Sequence, residues 1–223
     1  MTNTREIKVY RDLMGANEKW AATTRTLLAE NRIVMLNLIG SPGAGKTLLL
    51  ESMVEHLNKE ARFAVLEGDI ETTRDAERLD ILGVPVSQLL SGGSCHLEAK
   101  LVNHALADFP LANLDLVFVE NVGNMVCPAE FDIGEHAKIA VLSVTEGEDK
   151  PLKYPLLFRE ASAVVLTKTD LLPHLTFNLQ ACRDNIAQVD ASLPIFEVSA
   201  QTGDGAQAFT EWVLQQAVGY RSA

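Results

Sequence analysis

The chain has 223 residues, of which 47% are hydrophobic and 22% are charged, as in an ordinary globular protein and unlike a disordered or coiled-coil one. Nineteen basic residues against thirty acidic ones give a net charge of −11, which disfavours nucleic acid as the main partner. The sequence has no apolar stretch of about 18 residues, no signal-peptide pattern and only three cysteines, so we expect a cytoplasmic protein with no membrane association and with free thiols.

The succession of apolar segments predicts the fold. Residues 10–30 have helical spacing and are expected to form an extra helix ahead of the first strand. Seven apolar runs of strand length follow, most of them continuous as in parallel strands buried on both faces, and helical patterns separate many of them. They are residues 33–39, 63–66, 84–90, 114–119, 139–144, 163–166 and 195–198. We predict one α/β domain over residues 1–223, with a doubly wound, mostly parallel sheet and an N-terminal helical extension at 1–30.

A phosphate-binding loop follows the first predicted strand. Gly40-Ser-Pro-Gly-Ala-Gly45-Lys46-Thr47 has the P-loop pattern and precedes a helical run, which is the context that this motif requires. Its backbone N–H groups are expected to face the phosphates, Lys46 to bridge phosphate oxygens and Thr47 to bind Mg²⁺. The nucleotide-binding residues predicted here are Gly40, Ser41, Gly43, Ala44, Gly45, Lys46 and Thr47.

Acidic residues at the ends of two later strands suit the same ion. Asp69 follows the second strand and Glu120 ends the fourth, so both are predicted to bind Mg²⁺ with Thr47. Gly123 completes a Glu-x-x-Gly switch and is expected to offer its N–H to the γ-phosphate. The predicted catalytic residues are Lys46, Asp69, Glu120 and Gly123, with Arg74 as a candidate arginine finger.

Two further motifs indicate which base is bound. Thr167-Lys168-Thr-Asp170 follows a strand, and the Asp170 carboxylate accepts hydrogen bonds only, which matches the two donors of guanine and mismatches adenine. Lys168 is expected to pack along the base. Ser199 and Ala200 follow the last strand and are expected to support the base, so the predicted ligand is GTP or GDP.

Cysteine and histidine residues provide a candidate transition-metal site. Cys95 and His96 lie in a segment predicted to begin a helix, and Cys127 lies four residues beyond Gly123. Thiolate and imidazole suit Zn²⁺ and Ni²⁺, although three ligands leave a tetrahedral site incomplete. A buried structural cysteine is the alternative at either position, and it is our interpretation of Cys182.

The chain resembles the HypB family of nickel-incorporation GTPases from nickel–iron hydrogenase maturation. The similarity lies in the P-loop, in Gly68-Asp69, and in the long segments that begin at Gly93, Glu120 and Ser143. It implies a P-loop GTPase of the SIMIBI type that acts as a homodimer and supplies Ni²⁺ to the hydrogenase large-subunit precursor, with a small zinc-containing accessory protein as partner. It also implies that Cys95, His96 and Cys127 bind Ni²⁺ or Zn²⁺ at the dimer interface. Many members carry an N-terminal nickel motif, whereas residues 1–30 here contain neither Cys nor His.

The sequence therefore predicts a slow GTPase that couples nucleotide state to nickel delivery. Three alternatives stay open: a nickel chaperone GTPase of urease maturation, a P-loop small-molecule kinase, and a metal-storage protein with an idle nucleotide site. The first is expected to carry a Cys-Pro-His motif, where this chain reads Cys127-Pro-Ala.

Overall fold

A seven-stranded sheet forms the centre of the computed structural model, which describes residues 4–69, 74–90 and 92–222. The strand order is β3-β2-β4-β1-β5-β6-β7, and every paired strand is parallel. The strands are β1 (Val34–Ile39), β2 (Phe63–Asp69), β3 (Val86–Leu90), β4 (Leu116–Glu120), β5 (Ala137–Ser143), β6 (Ala161–Thr167) and β7 (Ile195–Val198). The predicted α/β architecture is confirmed, and strand ends lie within three residues of the predicted ones.

Helices cover both faces of the sheet. They are α1 (Thr4–Asn31), α2 (Lys46–Glu60), α3 (Arg74–Ile81), α4 (Ala99–Leu106), α5 (Cys127–Glu130), α6 (Lys150–Lys153), α7 (Pro155–Glu160), α8 (Leu179–Val189) and α9 (Ala206–Ser222), with 3-10 helices at Leu111–Asn113 and Thr169–His174. The extra N-terminal helix is present and begins earlier than predicted. None of the helices in the described ranges is long and apolar enough to span a bilayer.

Alternating strand side chains build the core on the two faces. Val34, Leu36 and Leu38 of β1 pack in one cluster with buried residues of α2 and α9, whereas Met35 belongs to a cluster with α1 and α4. This period of two is what a strand buried on both faces requires. Cys182 lies in a third cluster, with residues of α7 and β6, and is fully buried, so the packing interpretation of this cysteine is confirmed.

One predicted helix start is wrong. Cys95 and His96 were expected to begin a helix, but α4 begins only at Ala99 and both residues lie in the loop that leads to it. Gly92 and Gly93 in this loop have positive φ angles, which interrupt helical geometry. Freed from the 100° spacing of helical neighbours, the two side chains can approach one another.

Candidate functional site

The P-loop connects β1 to α2 at the carboxyl edge of the sheet. Gly43 and Gly45 have φ angles of 73° and 88°, and Gly45 directly precedes the first residue of α2. Lys46 is buried, with its Nζ 3.5 Å from the Gly40 carbonyl oxygen and 3.4 Å from that of Ser41. Thr47, also buried, donates from Oγ1 to Glu120 Oε1 (2.9 Å). The amino end of a fifteen-residue helix and a buried ammonium group therefore face one cavity, which suits an anion.

This phosphate cavity has a volume of about 430 Å³. Its lining includes the P-loop and the ends of β2 and β4. The predicted residues among the lining are Gly43, Gly45, Lys46, Thr47, Asp69, Glu120, Gly123 and Lys168. Arg74, the candidate arginine finger, is exposed and is absent from this lining, whereas Arg78, one turn further along α3, is part of it. Arg78 forms ion pairs with Glu51 and Asp75.

Three carboxylates meet at the base of the phosphate cavity. Glu67 on β2 lies beside Glu120 on β4 in the strand register, and Asp75 of α3 joins them, with one oxygen of each side chain within 4.8 Å of the others. Oε2 of Glu67 and of Glu120 are both buried, and neither has a hydrogen-bond partner in the described part of the chain. Carboxylate oxygens are the ligands that Mg²⁺ prefers, and a cation would compensate these orphaned atoms, so the residues fit the predicted ion.

Burial disfavours the ionised forms of Glu67 and Glu120. Burial, followed by the charges of Glu120, Asp69 and Asp75, raises the pKa of Glu67 to about 8. Burial likewise raises the pKa of Glu120 to about 7, against the opposing effects of Lys46 and the Thr47 hydrogen bond. A cation bound beside these two carboxyl groups would favour their ionised forms and so lower both pKa values.

Glu67 and Asp75 were not predicted from the sequence. Asp69 lines the same cavity but is not one of the three clustered carboxylates. A signal for Glu67 was available, because it is a charged residue inside an otherwise apolar strand and shares a strand face with Asp69, two positions on. Asp75 lies in the first turn of α3 and had no comparable signal in the sequence.

The predicted switch glycine packs directly against the P-loop. A Cβ atom built at Gly123 would lie 2.6 Å from Pro42 Cγ and 2.7 Å from Pro42 N, so no larger residue fits without displacing the loop. The next residue, Asn124, pairs with Gly40 in an isolated β-bridge. The side chain of Asn124 donates from Nδ2 to the Cys95 carbonyl oxygen (3.1 Å) and accepts the Val126 N–H at Oδ1 (2.8 Å). One residue thus contacts the P-loop and the loop that carries Cys95.

A second cavity, of about 190 Å³, adjoins the phosphate cavity and shares Gly45, Leu48 and Lys168 with it. Asp170 and Ala200 are among its lining residues, and Asp170 Oδ1 accepts the hydroxyl hydrogen of buried Ser199 (2.7 Å). The two predicted base motifs are therefore brought together in space. Because the two cavities share a wall, they suit a nucleotide whose phosphates occupy one cavity and whose base occupies the other.

Thr167 and Lys168 attach the base segment to the P-loop. Thr167, which stands where the guanine motif has Asn, donates from its buried hydroxyl to the Ala44 carbonyl oxygen (2.5 Å). Lys168 donates from Nζ to the Gly43 carbonyl oxygen (2.7 Å), so its aliphatic chain passes along the wall between the two cavities. Thr167, in place of Asn, thus provides a side-chain link between the two segments.

Cys95, His96 and Cys127 form a compact cluster of soft ligands. The two Sγ atoms are 2.8 Å apart, and Cys95 Sγ is 3.7 Å from His96 Nδ1. The ligand atoms of all three residues lie within 4.8 Å of one another. The hydrogen bond to Cys127, followed by burial, raises the pKa of the Cys95 thiol, which binding of a cation would reverse. Two sulfurs and an imidazole are suited to Zn²⁺ or Ni²⁺.

The His96 ring is held by an aromatic contact. It stacks on Phe131 with the ring centroids 3.9 Å apart and the planes inclined by 22°. Burial lowers the pKa of His96, which favours the neutral, metal-binding form of the ring. Nε2 is buried and has no hydrogen-bond partner among the residues described.

Comparisons with known proteins agree with this geometry. The family model described as "CobW/HypB/UreG, nucleotide-binding domain" matches residues 34–197. The hydrogenase maturation factor HypB of Azotobacter vinelandii is 44% identical over 97% of this chain and 71% of its own length. That of Escherichia coli K12 is 42% identical over 97% of this chain and 74% of its own length. The crystal structure of HypB from Helicobacter pylori in complex with nickel superposes with a TM-score of 0.87, at 35% identity, and the match covers 92% of this chain and 96% of that one.

Proposed function

Because the chain belongs to the HypB family of hydrogenase maturation factors, we propose that it is a slow GTPase whose nucleotide state controls the delivery of nickel to a hydrogenase precursor. In this proposal the phosphate and base cavities bind GTP, and Cys95, His96 and Cys127 bind the transition metal. Nickel is the favoured cargo because a nickel complex is the subject of the Helicobacter pylori structure. Zn²⁺ fits the same donor set.

Guanine selectivity rests on Asp170. Ser199 fixes one carboxylate oxygen of Asp170 by a hydrogen bond, which orients the side chain in the wall of the base cavity. Guanine offers two donors to such a carboxylate, whereas adenine presents a lone pair. On this basis we assign Lys168, Asp170, Ser199 and Ala200 to base binding.

Phosphate binding involves the P-loop N–H groups, Lys46 and a divalent cation. Thr47, Glu120, Glu67 and Asp75 are positioned to hold Mg²⁺, with Asp69 in the same cavity. When bound, the ion would neutralise charge on the β- and γ-phosphate oxygens. Gly123, packed on Pro42, would present its N–H to the γ-phosphate.

A low rate of hydrolysis follows from the position of Asn124. Small GTPases place a Gln after the switch glycine to orient the attacking water. Here both polar atoms of the Asn124 side chain are engaged, with the Cys95 carbonyl oxygen and the Val126 N–H, so this side chain does not orient water in the described arrangement. We therefore expect a turnover far below the 5–20 per second of GTPases assisted by an arginine finger.

The contacts of Asn124 with the P-loop and with the loop that carries Cys95 are the observation that most strongly supports coupling between nucleotide state and metal binding. Asn124 is paired with Gly40 of the P-loop, its side chain donates to Cys95, and Cys127 follows three residues later. A γ-phosphate that moves Gly123 would thus move groups attached to two of the three metal ligands. Coupling of this kind is reciprocal, so the metal should also alter nucleotide affinity.

Assembly and partners complete the proposal. Cys95 and Val126, the residue before Cys127, are exposed, so a second copy could supply the missing ligands at this surface, which supports a homodimer. We propose that the small zinc-containing accessory protein and the hydrogenase large-subunit precursor exchange metal with this surface. The reduced thiols that the site needs fit a cytoplasmic location.

Nucleotide selectivity and a binding-deficient variant test the proposal. GTP and GDP should bind at least about 100-fold more tightly than ATP and ADP, whereas preference for ATP would favour the kinase alternative. Lys46→Ala should abolish nucleotide binding and nickel transfer to an acceptor protein. Unchanged transfer by this variant would favour a metal-storage protein with an idle nucleotide site.

A further inference from the structure

Helix α1 contacts both segments that carry the metal ligands, through one side chain. Asn17 is 9% exposed, and the two functions of its amide group are both used. Its Nδ2 donates to the Asp132 carbonyl oxygen (2.7 Å), and its Oδ1 accepts the Ala99 N–H (3.0 Å). Asn17 therefore joins two segments of the chain that are separated by more than thirty residues.

Both partners are backbone atoms close to the ligands. Ala99 is the first residue of α4 and lies three residues after His96. Asp132 lies five residues after Cys127 and directly follows Phe131, on which the His96 ring stacks. Fixing the backbone at Asp132 therefore also fixes the aromatic ring beside His96. The Asp132 carboxylate forms an additional, half-exposed ion pair with Arg25 of α1.

We infer that Asn17 is a positioning residue of the metal site, which holds the Cys127 segment at a fixed distance from the Cys95–His96 segment. The inference rests on the proposed function, since it presumes that the three side chains bind a metal. An amide is suited to this role because it donates and accepts at once, whereas an apolar side chain would leave a buried N–H and a buried carbonyl without partners. On this view α1 belongs to the metal site, beyond the packing role that its apolar residues fulfil.

Substitution of Asn17 tests this role against a matched change on the same helix interface. Asn17→Leu keeps the branching and approximate size of the side chain but removes both hydrogen bonds. Asn103→Leu is the control, because Asn103 of α4 donates to Thr24 Oγ1 of α1 and so links the same two helices away from the ligands. Metal affinity is measured by titrating Ni²⁺ alone into each full-length protein, and coordination by the thiolate-to-metal absorption of the Co²⁺ form.

Removing a group that orients metal ligands typically weakens metal binding by about 10- to 100-fold. We expect Asn17→Leu to weaken Ni²⁺ binding within this range and to alter the Co²⁺ spectrum. Asn103→Leu should stay within about twofold of the wild type and keep its spectrum, and both variants should bind GDP normally. Equal affinity and equal spectra for the two variants would overturn the inference.

A second variant covers the case in which Asn17→Leu does not fold. Asn17→Asp has the same shape and keeps the acceptor for the Ala99 N–H, but it loses the donor to the Asp132 carbonyl oxygen. Weakened Ni²⁺ binding by the folded variant supports the positioning role, and unchanged binding refutes it. Cys127→Ser separates the two levels of the argument. If wild type and Cys127→Ser bind Ni²⁺ equally, the proposed metal site is wrong; if only the Asn17 variants behave as wild type, the inference alone is wrong.

Discussion

The buried carboxylate of Glu67 should make the metal-free protein less stable as pH rises. Its pKa is raised to about 8 by burial and by Glu120, Asp69 and Asp75, from an ordinary value of 4.5. The folded state therefore binds this proton more tightly than the unfolded state. The associated stability is fully present below pH 4.5 and is lost as pH rises through about 8.

The size of the effect follows from these two values. Each pH unit between them lowers the free energy of unfolding by about 1.4 kcal/mol, so the range from pH 6 to pH 8 accounts for about 2–3 kcal/mol. Glu67→Gln keeps the size of the side chain and removes its charge. The variant should be the more stable protein at pH 8, with a correspondingly flatter pH dependence.

Urea unfolding in EDTA, followed by tryptophan fluorescence at several pH values, measures this difference. Glu60→Gln serves as the control, because it removes the same charge from an exposed position near the end of α2. Added Mg²⁺ should restore stability at pH 8 to the wild type more than to Glu67→Gln. Equal pH slopes for the wild type and Glu67→Gln would refute the argument that burial and neighbouring acids oppose this charge.

Three further substitutions test the nucleotide site. Thr167→Ala should lower the free energy of unfolding by about 1–2 kcal/mol, because the buried Ala44 carbonyl loses its donor. The control Thr167→Ser should remain near the wild type in stability. An unchanged urea midpoint for Thr167→Ala would contradict the predicted loss of stability. Asp170→Asn should weaken GDP binding by at least about 100-fold and improve binding of xanthosine diphosphate, since the Asn amide can donate to the carbonyl of xanthine. Competition with a fluorescent nucleotide measures both affinities. A retained preference for guanine would argue against the assigned base cavity. Asp75→Asn should raise the Mg²⁺ concentration for half-maximal GTP hydrolysis by about tenfold or more, whereas Asp80→Asn, exposed on the same helix, should leave it unchanged.

Local patterns predicted the fold, and the residues proposed to bind nucleotide line two adjoining cavities. Continuous apolar strands define a parallel sheet, and the loops after their carboxyl ends must meet at one edge. This rule predicts the location of the P-loop, Glu120 and Asp170, since the P-loop follows β1, Glu120 ends β4 and Asp170 lies three residues after β6. The seven strands and their parallel pairing confirm it.

Local sequence patterns do not predict contacts between distant segments. Asp75 reaches the carboxylate cluster through the orientation of α3, and Asn17 meets Ala99 and Asp132 across more than eighty and one hundred residues. Neither residue differs in type or spacing from an ordinary surface polar residue. The predicted start of α4 is wrong for a related reason, because the Gly92-Gly93 turn and the contacts of Cys95 outweigh the helical spacing of the apolar residues around them.

Metal affinity in defined nucleotide states tests the central claim most directly. Ni²⁺ and Zn²⁺ would be titrated separately into the GDP-bound protein and into the protein bound to a non-hydrolysable GTP analogue, with the oligomer mass followed in parallel. The contacts from Gly40 through Asn124 to Cys95 predict affinities that differ by about 5- to 150-fold between the two states, the usual range of allosteric coupling, together with a change in the proportion of dimer. Equal metal affinity and equal mass in both states would contradict the account.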